Sequence, residues 1–415
     1  MSEPKTTLPA GWKRRPSGPA LVGTARCISY NLSTVRRAVT TCVEELPDLQ
    51  EALLQADSVL LKPNLLSSTR EPEEHVNTHP AVVRALAEQL IEEFSCEVAI
   101  GDSSGSFTRG STRRALERSR MLEVAGAVGA CIYNVDAQPR HVAVHPGSRI
   151  YREIPLPANL DRFDLIISVA KLKTHVLTYT TGPVKNMLGL VPGGAKKQAH
   201  MKAPHPGEFA TLLCDLYAAL PRAVAFVDGI VGMEGKGPSN GGLRHMELLA
   251  ASTDPVALDS FCAEAMGFEP LQIPLLAACQ SRELGVAARA EILARGEPAA
   301  AFAPKDFAKP PTYAQNPLGR LVPAWLLRSA MRTFSVCYAT IDEEACRACG
   351  ECARNCPSNA ISLDRNADAY HVDRHRCTSC YCCVEVCPYD AVSVEPTGMT
   401  KLARWLRSPF RGGSD

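Results

Sequence analysis

The sequence lacks long apolar runs and any excess of charge of one sign. No stretch approaches the roughly 18 apolar residues of a membrane-spanning helix, so no such helix is predicted. The first residues, MSEPKTTLPAGWKRRPSGPA, have no apolar middle and do not resemble a signal peptide, which favours a cytoplasmic location. The formal net charge is +1, so the composition gives no reason to expect a nucleic-acid partner.

Cysteine, in contrast, is abundant. The 415 residues include 17 cysteines, and nine of them lie between Cys346 and Cys387. Without a secretion signal, this density indicates metal binding rather than disulfides. The other eight cysteines are scattered along the chain, which is typical of small buried hydrophobic residues.

Two cysteine runs of the form Cys-x2-Cys-x2-Cys-x3-Cys-Pro begin at Cys346 and Cys377. Each matches the bacterial ferredoxin run for a [4Fe–4S] cluster, in which the fourth cysteine binds the other cluster. Eight thiolates at this spacing favour two such clusters over a zinc site. The predicted ligands are Cys346, Cys349, Cys352 and Cys387 for one cluster, and Cys377, Cys380, Cys383 and Cys356 for the other.

The two runs belong to a longer internal repeat. Residues 341–363 align with residues 372–394 at an offset of 31. This region resembles the dicluster ferredoxin family, which implies single-electron transfer, although a purely structural role for both clusters is an alternative. The ninth cysteine, Cys382, is interpreted as a bystander beside Cys383.

Residues 21–299 alternate strand-like and helix-like segments, and the strands are apolar throughout. This pattern predicts an α/β fold with a mostly parallel sheet and helices on both faces, plus the small α+β ferredoxin domain. The segments include helices over 33–56 (capped by Ser33) and 79–94, and strands over 165–169 and 223–227.

Polar residues follow the predicted strands where each one ends. In open α/β sheets, ligands bind in the crevice outside the carboxyl ends of the strands, so several of these residues are expected to line one site. Asp254, before Pro255, is alternatively a helix N-cap. The residues are Lys62, Asn64, Asp102, Ser103, Lys171, Lys173, His175, Asp228 and Asp254, of which Lys62, Asn64, Asp102, Lys171, Lys173 and Asp228 are predicted to bind a further, unidentified cofactor or substrate.

The segment 174–200, THVLTYTTGPVKNMLGLVPGGAKKQAH, supplies the catalytic candidates. His175 can exchange a proton near neutral pH. Lys185 has apolar neighbours, and desolvation would lower its pKa and make it a base or nucleophile. His200 is the third candidate, whereas Lys196 and Lys197 are interpreted as a solvated loop tip. Packed structural roles are the alternative for His175 and Lys185.

The stretch GDSSG at 101–105 has two interpretations. Its backbone amides can cradle a phosphate, or the stretch is only a turn that follows a strand. The residues after it lack the Lys-Ser/Thr signature of a phosphate loop, which argues against a Walker-type nucleotide site.

Several motifs together resemble a known family. The chain is similar to the bacterial and archaeal family called domain of unknown function three-six-two, whose members often carry a C-terminal dicluster ferredoxin. The resemblance covers nearly all of residues 20–395 and does not itself supply a reaction. The motifs are LLKPNLL, NTHPAVVRAL, GDSSG, AKLKTH, TGPVKNMLGLVPG, VDGIVGMEGKGPSNGG and ASTDPVALD.

A more distant similarity links the central segment to the lactate racemase family. That resemblance implies that Lys185 holds a nickel-containing nucleotide cofactor, that His200 ligates the metal and that His175 transfers protons. The Asn186-Met187 pair after the lysine departs from that family.

The predicted domain order is a basic proline-rich tail at 1–20, an α/β ligand-binding domain at 21–299, a linker with an apolar helix at 300–336, the ferredoxin domain at 337–396 and a basic amphipathic tail at 397–415. The last tail either packs on its own protein or lies on an anionic membrane surface, the first being favoured.

These features predict an iron–sulfur oxidoreductase that relays single electrons to or from a small molecule or cofactor in the α/β domain. One alternative is an electron-transfer subunit that docks a redox partner protein. Another is a racemase- or epimerase-like enzyme with a metal-containing cofactor.

Overall fold

The computed structural model describes residues 5–7, 18–313, 337–365 and 367–396. The chain divides into two compact units, residues 1–310 and residues 311–415. The apolar helix predicted at 321–334 and the amphipathic tail predicted at 397–415 lie outside the described residues, as does most of the N-terminal tail. None of the described helices is long and apolar enough to cross a bilayer.

The described part of the first unit contains twelve strands in two sheets. A small sheet combines β1 (Lys5–Thr7), β6 (Arg140–Val144) and β7 (Glu153–Pro157). The main sheet contains β2 (Ala20–Arg26), β3 (Ser58–Pro63), β4 (Glu97–Asp102), β5 (Cys131–Asn134), β8 (Leu165–His175), β9 (Tyr179–Thr181), β10 (Ala223–Glu234), β11 (Gly242–Ser252) and β12 (Ile292–Arg295).

The order of the main sheet is β12-β2-β11-β10-β8-β3-β4-β5, with β9 paired to β8. The strands β10, β8, β3, β4 and β5 are mutually parallel, as are β12 and β2. Only β11 and β9 run antiparallel to their neighbours. The predicted mostly parallel sheet is therefore confirmed, with β11 making it a mixed one.

Helices cover both faces of this sheet. Side chains of α1 to α5 share one apolar core with Val59, Leu61 and Val169 of the sheet. The opposite face is packed by α6 and α9. The helices are α1 (Leu32–Glu44), α2 (Pro47–Leu54), α3 (Pro80–Glu92), α4 (Ser111–Arg118), α5 (Met121–Val128), α6 (Pro183–Asn186), α7 (Gly193–Lys202), α8 (Pro206–Ala219), α9 (Pro255–Ala265), α10 (Pro274–Ser281) and α11 (Ala299–Phe302).

The helix predicted over 33–56 is two helices. Pro47 cannot donate a helical hydrogen bond, so the first helix ends before it and Pro47 begins α2. Ser33 is not the cap either, because Asn31 accepts the hydrogen bond from the Ser33 amide. The helix predicted over 79–94 spans Pro80–Glu92.

Two strands are longer than predicted. Strand β8 continues to His175 and β10 to Glu234, because each is extended by pairing with a neighbour. Lys171, Lys173 and His175 therefore lie inside a strand rather than after it, and all three are buried.

For Asp254 the sequence left two roles open, a place at the ligand edge and a helix N-cap, with the N-cap favoured, and the structure confirms the N-cap. Strand β11 runs antiparallel to β10, so Asp254, which follows β11, lies at the opposite edge of the sheet. Its side chain accepts hydrogen bonds from Val256 and Ala257, as an N-cap does.

In the second unit, residues 337–365 and 367–396 form two small antiparallel sheets, β13 with β16 and β14 with β15, and two short helices. The strands are β13 (Cys337–Ile341), β14 (Ile361–Asp364), β15 (Ala369–Val372) and β16 (Val392–Pro396), and the helices are α12 (Glu351–Arg354) and α13 (Cys382–Val386). Each helix contains the third cysteine of a run and ends before the fourth, which agrees with the internal repeat.

Candidate functional site

The polar side chains at the carboxyl edge of the main sheet lie on two opposite faces. Lys62 on β3 pairs in register with Ser168 on β8, so both point to one face. Lys171 is three residues beyond Ser168 and points to the other face by strand alternation. The residues that the sequence placed in one site therefore form two groups in the structure.

The first group surrounds Lys62 on the face covered by α6. Lys62 Nζ lies 2.7 Å from Asp102 Oδ1 and donates to Asn186 Oδ1 at 3.0 Å. Asn186 Nδ2 in turn donates to Ser168 Oγ at 3.0 Å, and Asn64 Nδ2 lies 3.4 Å from Asn186 Oδ1. We call Lys62, Asn64, Asp102, Lys185, Asn186 and Lys196 the Lys62 group.

Lys185 and Lys196 join this group through electrostatics. Burial lowers the pKa of Lys62, and the charge of Lys185 lowers it further while Asp102 opposes the shift. Burial also lowers the pKa of Lys196 to about 8, with Asp102 and Asp136 raising it and Lys62 and Lys185 lowering it. Three ammonium groups thus share a small buried volume, and Lys196 can exchange protons near neutral pH.

Lys196 was predicted to lie at a solvated loop tip, and this prediction is wrong. The residues after Gly193 form α7, and Lys196 is buried within it. Its ammonium donates to Ser103 O at 2.7 Å, to Ser103 Oγ at 2.8 Å and to Ser104 O. Lys197, beside it, is only partly buried.

The stretch GDSSG is a turn rather than an open phosphate cradle. The amide of Ser103 donates to Gly189 O, that of Ser104 to Thr112 Oγ1 and that of Gly105 to Leu66 O. These amides are therefore already used within the protein.

Gly189 covers the Lys62–Asp102 pair. A Cβ at this position would lie 1.9 Å from Asp102 Oδ1 and 2.6 Å from Lys62 Nζ, distances that real contacts do not reach. A Cβ added to Gly182, before α6, would likewise lie 1.3 Å from Asp259 Oδ1. Glycine is required at both positions because backbone packs directly on buried charged groups.

The second group surrounds Lys171 on the face covered by α1 and α3. Lys171 Nζ lies 3.0 Å from Asp228 Oδ2 and donates to Tyr30 Oη at 2.7 Å. Tyr30 Oη donates to Asp228 Oδ1 at 2.8 Å, and the His79 amide donates to Asp228 Oδ2 at 3.0 Å. We call Tyr30, His75, His79, Lys171 and Asp228 the Lys171 group.

The ionisation states in this group follow from burial and pairing. Burial lowers the pKa of Lys171, although Asp228 opposes the shift. Burial also disfavours the Asp228 carboxylate, but the charge of Lys171 and the hydrogen bonds from His79 and Tyr30 outweigh it, so the pKa of Asp228 is lowered. Pairing with Lys171 therefore favours the ionised form of the Asp228 carboxylate.

Two half-buried histidines stack against Tyr30. The ring centroids of Tyr30 and His79 are 3.8 Å apart, and those of Tyr30 and His75 are 5.2 Å apart. Burial and the charge of Lys171 lower the pKa of each histidine to about 4. Both imidazoles are consequently neutral at physiological pH. His79 Nδ1 accepts from the Ala81 amide, so its proton lies on Nε2.

His175 and Lys173 lie on the same face of β8 as Lys171. Lys173 Nζ donates to Val76 O at 2.6 Å. His175 Nδ1 accepts from the Leu177 amide at 3.0 Å, so the neutral ring carries its proton on Nε2. His175 is thus arranged as a hydrogen-bond donor, on the face opposite to the Lys62 group.

His200 lies in an aromatic environment. It is on α7, one turn after Lys196, and stacks on Phe209 at 4.6 Å between ring centroids. Phe107 tilts against it at 6.1 Å. Among the residues that the structure describes, no group of three or more His, Cys, Asp or Glu side chains is positioned to hold a single metal ion.

The second unit assembles the first predicted cluster set. Burial and the neighbouring thiols of Cys387, Cys349 and Cys346 raise the pKa of the Cys352 thiol to about 12. Cys387 comes from the other half of the repeat, yet it lies beside these three thiols. The residues present therefore fit the [4Fe–4S] arrangement in which each run lends its last cysteine to the other cluster.

The second predicted set shows the same exchange. Burial raises the pKa of Cys383, and its neighbouring thiols include Cys380, Cys377 and Cys356. Cys356 is again the ligand from the other half. Cys382 is buried and donates a hydrogen bond to the Cys380 sulfur, so its thiol lies next to the predicted ligands.

Comparison with known families agrees with both units. Residues 59–264 match the family described as a domain of unknown function (DUF362), and residues 345–391 match the 4Fe-4S dicluster domain. A thylakoid-associated protein from Synechocystis sp. is 34% identical over 259 residues, which cover 62% of this chain and 78% of that protein. The chain belongs to the DUF362 family. It is also an iron–sulfur protein, since it carries the ferredoxin domain that binds [4Fe–4S] clusters.

Two solved structures resemble part of this DUF362 protein. The lactate racemase apoprotein from Thermoanaerobacterium thermosaccharolyticum has a TM-score of 0.39 at 14% identity, covering 62% of this chain and 58% of that one. A structural-genomics target from Thermotoga maritima has a TM-score of 0.35 at 14% identity, covering 59% and 60%. In both cases the chain spans less than two thirds of the solved protein.

Several members of the two groups are absent from the residues that the sequence predicts. Tyr30, His75 and His79 were not singled out, although two histidines four residues apart at the start of a helix were visible. Asn186 was noted only as a departure from another family. No sequence motif marks Asp136, because it accepts hydrogen bonds from Ser103, Thr112 and Gly193, which only the fold brings together.

Proposed function

We propose that this protein is an iron–sulfur oxidoreductase that exchanges single electrons with a small molecule or cofactor bound at the carboxyl edge of the main sheet. Two [4Fe–4S] clusters, held by the two sets of four cysteines, supply one-electron transfer when bound. A cytoplasmic location is part of the proposal.

One observation carries the proposal for the sheet edge. Lysine is almost never fully buried unless it is paired or functional. Every lysine that the described residues bury lies at this edge, which is also where open α/β sheets bind ligands. These lysines are Lys62, Lys171, Lys173, Lys185 and Lys196.

The Lys62 group is suited to hold an anionic part of the ligand. Lys185 lies close enough to Lys62 and Lys196 to lower the pKa of both, so these positive charges repel one another. A carboxylate or phosphate would relieve that repulsion. Lys196, with a pKa of about 8, would exchange the proton that accompanies an electron.

The Lys171 group and His175 supply neutral hydrogen-bond donors on the other face. His175 and His79 each keep Nδ1 occupied by a backbone amide and present a proton on Nε2. Asp228 and Tyr30 hold Lys171 in place, and the opposite charges of Lys171 and Asp228 compensate each other. These residues also orient the histidines. His200 supports α7 through its stack on Phe209.

Metal analysis and native mass spectrometry of the anaerobically purified chain test this proposal. About eight irons per chain, with matching sulfide, and a co-purified anionic small molecule are expected. The Lys185→Met variant should keep the iron and lose the small molecule. Lys197→Met, a change at the partly buried neighbour of Lys196, should keep both.

Other results would favour the competing functions. Full iron with no small molecule in any variant would support an electron-transfer subunit that docks a partner protein. Nickel, or added mass covalently attached at Lys185, would support a metal-cofactor racemase or epimerase. Stoichiometric zinc with almost no iron would contradict the cluster assignment.

A further inference from the structure

Two buried thiols meet between helices of the α/β unit. Cys214 on α8 and Cys279 on α10 have their Sγ atoms 3.5 Å apart, and both residues are 0% exposed. The sequence treats them as two of eight scattered cysteines, separated by 65 residues. The fold places them in direct contact.

Contacts that do not involve the thiols hold the two helices in this register. Arg282, directly after α10, donates to Asp215 Oδ1 at 2.7 Å, and Asp215 is the residue next to Cys214. Asp215 also accepts the backbone amides of Ile150 and Tyr151. This anchor is buried, so the thiols stay adjacent without a bond between them.

A disulfide requires sulfurs about 2.05 Å apart, so the two atoms would have to approach by roughly 1.5 Å. Rotation of the two side chains can provide such a movement, because they already face each other. We propose that Cys214 and Cys279 are a modification site that closes to an intramolecular disulfide under oxidation.

The reaction balances with a two-electron oxidant. Each thiol loses one proton and one electron, the S–S bond forms, and an azo compound such as diamide takes up both electrons and both protons to become a hydrazine. The hydrogen bond that the Cys279 thiol donates to Cys214, followed by burial, raises the pKa of Cys279, so little thiolate is present. Formation should therefore be slow and depend on local opening, and the bond, once made, should resist reduction.

The disulfide would fasten two supports of the Lys62 group. On one side, Phe209 of α8 stacks against His200 of α7. On the other, α10 packs beside α9, whose Asp259 accepts the Val184 amide next to Lys185. An effect on ligand binding rests on the proposed function, whereas formation of the disulfide does not.

Peptide mapping of the oxidised holoprotein tests the proposal. The anaerobically purified chain is incubated with diamide at a series of temperatures, the highest of which is just below its unfolding midpoint. It is then unfolded in an alkylating reagent, digested and analysed by mass spectrometry. We expect the Cys214 and Cys279 peptides to be linked to each other, and the buried thiol Cys96 to be alkylated.

The proposal is wrong if Cys214 and Cys279 are both alkylated after this treatment, or if either is linked to another cysteine. That outcome would leave the search for an anionic ligand untouched, so the two proposals fail separately.

Thermal unfolding gives an independent readout. Closing a loop of this length should raise the midpoint of the α/β unit by roughly 5 to 10 °C after oxidation. Cys279→Ala should abolish the rise, while Cys42→Ala, an equally buried thiol on α1, should retain it. An equal rise in Cys279→Ala would contradict the proposal.

Discussion

The two units of this protein differ in how their sequences indicate the site residues. In the ferredoxin unit the ligands are spaced along two short runs, and even the exchanged ligands Cys356 and Cys387 are marked by a following proline. In the α/β unit the corresponding information is the face of the sheet to which a side chain points. Lys62 and Lys171 both come near strand ends, yet they belong to different groups. The spacing of residues along the chain is enough to predict a cofactor. A site formed by residues from several strands can be recognised only in the folded structure.

Single substitutions of the adjacent cysteines Cys382 and Cys383 should give the largest difference. Cys383→Ser removes a predicted ligand and should lower the iron content by about half, because one of two clusters is lost. Cys382→Ser should keep the iron, since that thiol is outside the ligand set. Iron analysis of the two anaerobic proteins decides the matter, and equal losses would show that spacing does not identify the ligands.

The Lys171–Asp228 pair tests whether the α/β groups are part of the core. Lys171→Met would leave Asp228 as a buried carboxylate without its cation and should cost about 3–5 kcal/mol of unfolding free energy. Urea unfolding followed by circular dichroism measures the loss. Arg113→Ala, which breaks the exposed pair with Glu117, is the control and should cost less than about 0.5 kcal/mol. Similar losses in both variants would mean that the buried pair has no special weight.

Asp259 should make stability fall as pH rises. Burial raises its pKa from 3.8 to about 7, so between these values the folded state holds a proton that the unfolded state releases. The stabilisation is complete below pH 4 and is lost as pH approaches 7, a change of up to roughly 4 kcal/mol.

Asp259→Asn keeps an acceptor for the Val184 amide and removes the titration. Its urea midpoint should therefore change less than that of the wild type between about pH 5 and pH 8. An unchanged pH dependence in the variant would show that another group titrates in this window.

Gly189 and Gly194 test the packing of the α/β unit at single positions. Gly189→Ala would place a Cβ against the Lys62–Asp102 pair and should cost about 1–3 kcal/mol. Gly194, on α7, has nothing within 4 Å of the corresponding position, so Gly194→Ala should be neutral or stabilising by up to about 1 kcal/mol. Urea midpoints measure both, and a destabilising Gly194→Ala would contradict the assigned packing.

The sequence was sufficient for the architecture, the family and the dicluster domain. Apolar strands that alternate with helices predicted the mostly parallel sheet, and the structure confirms it. The bounds were less accurate where tertiary pairing decides them, as in β8, which continues through Lys171 to His175. A strand can bury lysines only when acceptors from elsewhere receive them, and the sequence does not show those acceptors.

Lys196 illustrates the same limit within the site. Its sequence context, GGAKKQAH, is typical of an exposed loop. In the structure, the carbonyls of Ser103 and Ser104 receive its ammonium group, and these residues are more than ninety positions away along the chain. The grouping of His75 and His79 with Tyr30 depends in the same way on contacts between distant elements.

The proposed electron transfer from the clusters to a ligand at the sheet edge is tested most directly by reoxidation of the reduced protein. The anaerobic protein is depleted of small molecules, reduced with dithionite and mixed with the deproteinised extract of the purified wild type, while the visible absorbance of the clusters is followed. We predict rapid reoxidation of the wild type and of Lys197→Met, and at least a tenfold slower rate in Lys185→Met, about 1.4 kcal/mol in the barrier. Equal rates in all three proteins, or no reoxidation by the extract, would contradict the account.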